Sequence, residues 1–315
     1  FDGIHIKSSS FDGVDTKRKR VNALVETDDV FLWVGNGAGL WVLDRHNGEM
    51  IRVLSDWIDM TVWSIAYNGH DTLFLGTNKG LCIISIERFR GSGKFLESDF
   101  KQVLIDANVL SLSNRIKSIN LDDSGIVWLA SSKGLYSYSL QDAKINSHLT
   151  ESDIPQELEF RTMTRMGYTL YLGTESLGLF SYAVNDGVFQ CFMDVGSGVI
   201  SSLSTDGDDR LYVATDGNGI CCISHHSKKI MSSYRHNSHD ANSIRSNSVY
   251  SLLVDREGIV WIGFYSAGLD YSLYQNDLFD VYAYSPLFDS NNLPVRSFFI
   301  NEKEKLIGTR DGLYY

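Results

Sequence analysis

The 315-residue chain is short of proline (3), of cysteine (4) and of positive charge: 28 Lys and Arg stand against 39 Asp and Glu, a formal net charge of −11. Each shortage closes off a class of reading. A chain this acidic lacks the clustered Lys and Arg that phosphate neutralisation requires, which argues against nucleic acid as a partner. The one basic run, Lys17-Arg18-Lys19-Arg20, stands just before a strand-like segment and reads as a solvated loop. Cys82, Cys191, Cys221 and Cys222 show no C-x-x-C spacing and no histidine at zinc-ligand distance. Neither a disulfide framework nor a metal site is signalled, and no cofactor is expected. All four cysteines read as small buried hydrophobes, with the adjacent Cys221 and Cys222 on opposite faces of one strand. No apolar run approaches the roughly 18 residues of a membrane-spanning helix, so a soluble piece without a membrane span is expected. The chain begins Phe1-Asp2 with no basic or apolar leader, and any targeting signal is expected to lie outside the fragment or to have been removed.

What is present is glycine (27), aromatics (12%) and a repeat. The pattern "apolar, aromatic, apolar, Gly or Ala", then a turn, then Gly with a branched aliphatic, occurs seven times. Leu32-Trp33-Val34-Gly35, Leu73-Phe74-Leu75-Gly76, Val127-Trp128-Leu129-Ala130 and Leu170-Tyr171-Leu172-Gly173 are the first four. Leu211-Tyr212-Val213-Ala214, Val260-Trp261-Ile262-Gly263 and a degenerate Lys305-Leu306-Ile307-Gly308 complete the set. The closing Gly or Ala recurs at steps of 41 to 54 residues, the size of a unit of four short strands. The composition of each unit, rich in Val, Ile, Tyr, Trp and Thr and punctuated by Gly, Asp and Asn, is strand chemistry.

A second register runs with the first. Thirteen or fourteen residues before the closing Gly or Ala stands an apolar residue, and two after it a small one: Ala23, Ser64, Ser118, Thr162, Ser202, Ser251 and Ser297. The reading is an all-β fold, a seven-bladed β-propeller of four-stranded antiparallel blades, with first strands starting near 21, 62, 116, 160, 200, 249 and 295. Small side chains are expected where first strands converge on a narrow axis. Residues 1–315 are read as a single propeller domain. "GIHIKS" from Gly3 resembles a third strand without its first two, and "GLYY" ends the chain at another, so the two ends are expected to close the ring. The duplicated third strand predicts a ring cut from a longer protein.

The segment "HNSHDANSIRSNSVYSLLVDREGIVWIGFYSAGLDYS", 236 to 272, resembles the propeller repeats of the extracytoplasmic sensor region of hybrid two-component systems, best known from gut Bacteroidetes. The likeness extends to 110–139 and more faintly to all seven units. It implies a periplasmic ring, often paired with a second ring and an immunoglobulin-like module, followed by a membrane helix, a histidine kinase and regulator segments. In that family the sensed ligand is usually an oligosaccharide, detected to control polysaccharide utilisation. The implied partners are the oligosaccharide, neighbouring modules of the same receptor and, in the full-length receptor, a second copy. The repeat motif is architectural, so Trp33, Trp128 and Trp261 carry over as packing between blades.

Strand direction predicts which loops share a face: linkers into first strands lie with the loops between second and third strands. That face carries Asp56, Trp57, Asp59, Glu175, Asp216, Asn218 and Tyr265. It also carries the residue after each first-strand start: Asn22, Trp63, Lys117, Arg161, Ser201, Tyr250 and Arg296. Sugars bind through aromatic faces and through amide, carboxylate or guanidinium groups that pair with hydroxyls. The candidate ligand-binding residues are therefore Trp57, Asp59, Trp63, Lys117, Arg161, Asp216, Tyr250, Tyr265 and Arg296, with no catalytic and no metal residues. Two other readings stay open. A propeller lyase or hydrolase would need histidines, carboxylates or a metal at the axis, whereas the eight histidines fall mostly in turns and linkers. A protein-interaction scaffold would need no small ligand.

Overall fold

The computed structural model describes residues 8–9, 18–27, 30–53, 60–150, 153, 155, 157–194, 198–240, 242–273, 278–281, 294–301, 305–310 and 312–314. The fold is all-β, a β-propeller of four-stranded antiparallel sheets. After β1 (Ser8–Ser9), strands β2 (Val21–Thr27), β3 (Phe31–Asn36), β4 (Gly39–Asp44) and β5 (Met50–Arg52) form one sheet in chain order. β6 (Val62–Tyr67), β7 (Thr72–Thr77), β8 (Gly80–Ser85) and β9 (Phe100–Val103) form the next, with helix α1 (Glu87–Ser92) between its last two strands. β10 (Ile116–Leu121), β11 (Ile126–Ser131), β12 (Gly134–Ser139) and β13 (Lys144–Ser147) repeat the arrangement. So do β14 (Phe160–Met166), β15 (Thr169–Thr174), β16 (Leu179–Ala183) and β17 (Val188–Met193). Two more sheets follow: β18 (Ile200–Thr205) to β19 (Arg210–Thr215), β20 (Gly219–Ser224) and β21 (Ile230–Tyr234), then β22 (Val249–Val254) to β23 (Val260–Phe264), β24 (Leu269–Leu273) and β25 (Leu278–Val281).

These six sheets are each made of four consecutive strands; the remaining one is composite. β26 (Val295–Ile300), β27 (Lys305–Thr309) and β28 (Leu313–Tyr314) take β1 as their fourth strand, with Ser8 opposite Tyr314 and Ser9 opposite Leu313. Seven blades were the expectation; among the described residues six are complete, and the last sheet is assembled from both ends. By contacts the chain divides into two compact units, Phe11–Phe160, and Phe1–Ser10 together with Arg161–Tyr315.

Within each unit the core is made sheet against sheet. Trp33, Leu40 and Val42 of the first sheet pack on Val62, Leu73 and Leu75 of the second, and Trp261 and Leu269 pack on Val295 and Ile307. The second-strand tryptophans are buried, Trp33 at 0%, Trp261 at 2% and Trp128 at 3% exposure, and each keeps its indole N–H bonded. Trp128 Nε1 donates to Asp122 Oδ2 at 3.0 Å, Trp261 Nε1 to Asp255 Oδ2 at 2.8 Å, and Trp33 Nε1 to Thr27 Oγ1 at 2.8 Å. The partner lies at the end of the first strand or in the turn after it, which removes the cost of burying an unpaired donor.

The closing glycine and the small first-strand residue have one shared cause. They sit opposite each other, Ser251 on Gly263 and Ser64 on Gly76. A Cβ on Gly263 would stand 2.3 Å from Ser251 Oγ and 2.6 Å from Val295 Cγ1 of the following sheet. The serines also bond across neighbouring first strands: Ser202 Oγ accepts from Leu252 N at 3.1 Å and Ser204 Oγ from Val254 N at 2.9 Å. At Ser202 and Ser251 the hydroxyl also links adjacent sheets, so narrowness is not the whole reason for a small polar residue there.

Helix α1 carries the largest insertion. Its Phe89 packs edge-on against Trp33, ring centres 5.4 Å apart, and stacks on Phe95 at 4.8 Å. Arg90 Nη2 donates to Tyr67 Oη at 2.6 Å, and Arg90 also bonds the His70 carbonyl. The helix therefore lies beside the β6–β7 turn, away from the β7–β8 loop, where the strand directions require this insertion to be. One correction concerns the cysteines. Cys82, Cys221 and Cys222 are buried, the last two in different clusters, but Cys191 on the outer strand β17 is exposed; no residue of that strand is buried.

Candidate functional site

The position after the start of six first strands is a structural device. Strand pairing skips it: register shifts lie between Val21 and Ala23, Val62 and Ser64, and Ile116 and Ser118. The same shifts lie between Ile200 and Ser202, Val249 and Ser251, and Val295 and Ser297. Asn22, Trp63, Lys117, Ser201, Tyr250 and Arg296 are therefore bulge residues, one extra residue facing one partner. A bulge bends the strand and re-aims the side chain it carries. Identity at a bulge is free of the pairing constraint that keeps its neighbour small, which accounts for the variety of the set.

Linkers and loops are pinned together at these strand ends. The loop after the second strand donates a backbone N–H to the residue just before the first: Asn78 N to Thr61 O at 3.2 Å, Ser132 N to Arg115 O at 2.9 Å, Asp216 N to Val199 O at 2.9 Å and Tyr265 N to Ser248 O at 3.1 Å. Bulge side chains thus stand beside a wall of loops that repeats sheet by sheet.

In the unit Phe11–Phe160 the wall borders an open cavity of about 440 Å³. The bulge residues Asn22 and Trp63 line it, with Arg18 and Arg20 from the segment entering β2. Gly37, Thr61 and Asn78 complete the lining. Its walls are held by hydrogen bonds: Arg18 Nε donates to Gly37 O at 2.9 Å, Asn22 Nδ2 to Val62 O at 2.8 Å, and Thr61 N to Asn78 Oδ1 at 2.8 Å. Gly37 permits the close approach of Arg18, because a Cβ there would lie 3.0 Å from the Arg18 carbonyl oxygen. The Lys117 ammonium sits 3.9 Å from the centre of the Trp63 ring, a cation–π contact that fixes the indole. Among the described residues, the seven that line it include no acid.

In the unit formed by Phe1–Ser10 and Arg161–Tyr315 the equivalent positions bond to one another. Arg161 Nη1 donates to Glu175 Oε1 at 2.6 Å and Arg161 Nη2 to Tyr250 Oη at 3.3 Å. Arg296 also donates to Tyr250 Oη and lays its guanidinium 4.0 Å from the Tyr250 ring centre. The Tyr250 and Tyr265 rings are 5.9 Å apart. Burial pulls the Arg161 pKa down, but Glu175 and Tyr250 outweigh it and leave the guanidinium raised above its ordinary value. Ser201 Oγ turns back to Val249 O at 2.6 Å.

The candidate residues thus fall into two groups and a remainder. Trp63 and Lys117 touch; Arg161, Tyr250, Arg296 and Tyr265 form a chain of contacts. Asp216 is exposed, bridged through its backbone to Ser248. Trp57 and Asp59 lie outside the described residues. Reading the basic run as a solvated loop missed Arg18 and Arg20. Their place immediately before Val21, on the face already chosen, was the available signal. Among the described residues no group of three or more His, Cys, Asp and Glu side chains could hold a metal ion, and no helix there is long and apolar enough to cross a membrane. What the two groups can do chemically is bind: flat rings, guanidinium and amide groups on a braced wall, suited to a polar ligand with apolar faces.

Residues 243–266, which hold Tyr250, Trp261 and Tyr265, match the family model described as two component regulator propeller. No curated protein matches the chain. Two crystal structures of the extracellular domain of BT4673 from B. thetaiotaomicron share the fold. The first, described as a hybrid two component system, has a TM-score of 0.73 at 18% identity. The second, described as a one component system, has a TM-score of 0.72 at 17% identity. Each match covers 98% of this chain, which spans 39% of the length of either structure.

Proposed function

We propose that this chain is the extracytoplasmic, ligand-sensing propeller of a hybrid two-component receptor, that it lies in the periplasm, and that its ligand is an oligosaccharide. The observation that carries the reading is the row of bulge residues, Asn22, Trp63, Lys117, Tyr250 and Arg296, re-aimed beside a hydrogen-bonded loop wall. Aromatic faces and planar polar groups at a braced position are what a sugar needs, C–H surface against ring and hydroxyl against amide or guanidinium. The match at 243–266 and the likeness in fold to extracellular receptor domains support the sensor role. On this reading residues 1–315 belong to a single propeller domain. The full-length receptor then carries the neighbouring modules and the histidine kinase, and pairs with a second copy of itself.

The chain itself then binds without catalysing and needs no metal or cofactor. Calorimetry of the purified chain against a panel of neutral and acidic oligosaccharides tests the reading, with product analysis of each mixture. Saturable binding without product formation is expected. Cleavage of a panel member would move the chain to the propeller lyases or hydrolases, and the absence of any binding would leave a protein-interaction scaffold.

A further inference from the structure

One third strand breaks the pattern of the others. Two residues after the glycine at the head of each stand Trp41, Cys82, Tyr136, Phe180, Cys221 and Tyr314, but in β24 the residue is Asp270. It is fully buried. Asp270 lies opposite Ile262 across the ladder and so shares its face of the sheet, the face that packs with Tyr212, Cys222 and Ile244. A carboxyl there costs free energy that an apolar side chain would not. It is gripped from the linker into β22: Arg245 N donates to Asp270 Oδ2 at 3.0 Å, and Arg245 Nε lies 3.3 Å from Oδ1. Arg245 Nη1 donates in turn to Ala267 O at 3.2 Å, in the loop between β23 and β24. That loop carries the half-exposed Tyr265, whose backbone N–H donates to Ser248 O of the same linker at 3.1 Å. Linker and loop are thus tied twice, once by backbone and once through a buried carboxyl, beside the Tyr250 and Tyr265 rings.

The second tie is imperfect. Arg245 Nε and Nη2 and Asp270 Oδ1 are buried and form no hydrogen bond, so the pair lacks the forked geometry that offsets the desolvation of two ions. Burial raises the Asp270 pKa to about 6, against the opposing hydrogen bonds and charge of Arg245. The other titratable side chains of the cluster on this face are Tyr212, Cys222 and Tyr234. Burial holds Tyr212 and Cys222 above their ordinary values, hence neutral, and Arg245 is the charge that acts on Asp270. On the linker itself His236, His239 and Asp240 are exposed, and His236 Nδ1 meets the Ile244 carbonyl at 2.9 Å.

We propose that Arg245 and Asp270 form a proton-released latch: with the carboxylate ionised they hold the linker 243–248 against the loop 265–268, and protonation frees Arg245 and loosens both segments around Tyr265 and Tyr250. The latch rests on the oligosaccharide-sensor reading for its purpose, and makes acidity a regulator of that face. Two consequences pull in opposite directions. The folded-state value lies above that of a carboxyl in an unfolded chain, so this group's contribution to stability is complete below about pH 4 and is lost as the pH rises through about 6. Local order runs the other way, because only the ionised form holds Arg245. A pair that merely braced the fold would lose order and stability together.

Hydrogen exchange read by mass spectrometry, corrected for its intrinsic pH dependence, follows peptides over 243–249 and 264–269 of the whole chain at about pH 7.5 and about pH 5. In the parent both segments should exchange several-fold faster at the lower pH, while peptides from β10 and β11 stay unchanged. Asp270→Asn, which keeps the shape without the charge, should exchange fast at both pH values, yet unfold at pH 7.5 at a denaturant concentration no lower than the parent's. Arg245→Gln should show the same loss of protection, and carries the test if Asp270→Asn does not fold. His236→Gln removes the nearby imidazole and should keep the parent's response. Equal protection of the parent at both pH values, or a response that survives Asp270→Asn or disappears in His236→Gln, would overturn the latch. So would an Asp270→Asn chain clearly less stable than the parent at pH 7.5, which would make the pair a brace. Calorimetry with cellohexaose and maltohexaose, probes that carry no titrating group, tests the purpose. Binding of either should weaken several-fold from pH 7.5 to pH 5 in the parent and not in Asp270→Asn. Binding that ignores pH while exchange responds would overturn the regulatory role. Silence of both probes would count against the sensor reading, and exchange would still decide the latch.

Discussion

The Trp63 group and the Tyr250 group are built by the same device and come to different ends. Both stand on bulges at the start of first strands, beside a linker that hydrogen-bonds the next loop. In one, an aromatic ring and two arginines border open space; in the other, Arg161, Arg296, Glu175 and Tyr250 are consumed by one another. A bulge exempts its residue from ladder packing, but does not decide what the side chain does with that freedom. The partners within reach decide: in the Tyr250 group a carboxylate and a phenol take up the cations, and in the Trp63 group the described contacts are a ring under Lys117 and a carbonyl under Arg18.

The sharpest form of the comparison sets both groups against a tryptophan that serves architecture alone. Trp261 is 2% exposed, packs on Val295 and Ile307, and donates to Asp255. Trp261→Ala should cost about 3 to 5 kcal/mol, a large share of an ordinary domain's stability. Chemical denaturation of the variant measures it. A loss comparable to that of a bulge substitution would mean that the sheet-to-sheet packing is not what holds Trp261.

Next in size is Tyr250→Ala. It removes a ring covered by one guanidinium at 4.0 Å and a hydroxyl that accepts from two arginines, leaving half-buried cations to find water. A cost of about 2 kcal/mol is expected, larger than at Trp63 despite the smaller side chain. If the Tyr250 variant unfolds at the same denaturant concentration as the parent, the network is not a structural unit and becomes a second candidate site.

How much of this could be seen in the sequence depends on the range of the interaction. Val21, Val62, Ile116, Phe160, Ile200, Val249 and Val295 begin the first strands of their sheets, and the repeat displays them because each obeys the same local rule. The closing glycines were equally visible, though their reason, a clash across to the next sheet such as that at Gly263 with Val295, was not. The bulge positions stood out by their variety. What they do was illegible, because the partners of Tyr250 are 46 and 89 residues away in sequence. Arg18 was lost for the opposite reason: a basic run ordinarily means solvent, as it does for the exposed Arg20, and only the bond from Arg18 to Gly37 shows otherwise. The closing of the last sheet by both chain ends was foreshadowed, but not as a duplicated third strand: Ser8 and Ser9 pair with β28 as the fourth strand of that sheet.

Trp63→Ala is a smaller change in stability. The ring is half-buried and its one described ring partner is Lys117, so a cost of about 1 kcal/mol is expected. Affinity for an oligosaccharide ligand should fall tenfold or more, the equivalent of about 1.4 kcal/mol. Loss of stability near that of Trp261→Ala would assign Trp63 to the core. Normal binding in a folded variant would remove it from the site.

The smallest expected effect discriminates most finely between the two groups. Glu175 and Arg161 are each about a third exposed, 32% and 30% at the side chain, and an ion pair so open to water contributes about 0.5 kcal/mol or less once screening is counted. Glu175→Gln keeps the shape and an acceptor while removing the charge, so Arg161 should retain its bond to Tyr250 and stability should hardly move. If the network is closed on itself, binding of an acidic oligosaccharide should not change either, because the freed charge remains engaged with Tyr250. If the variant gains affinity for the acidic probe by several fold, and loses that gain at high salt, then Glu175 was masking a cation that can serve a ligand. The Tyr250 group would then be a site held shut by its own carboxylate, and the distinction between the two groups would be one of a single side chain.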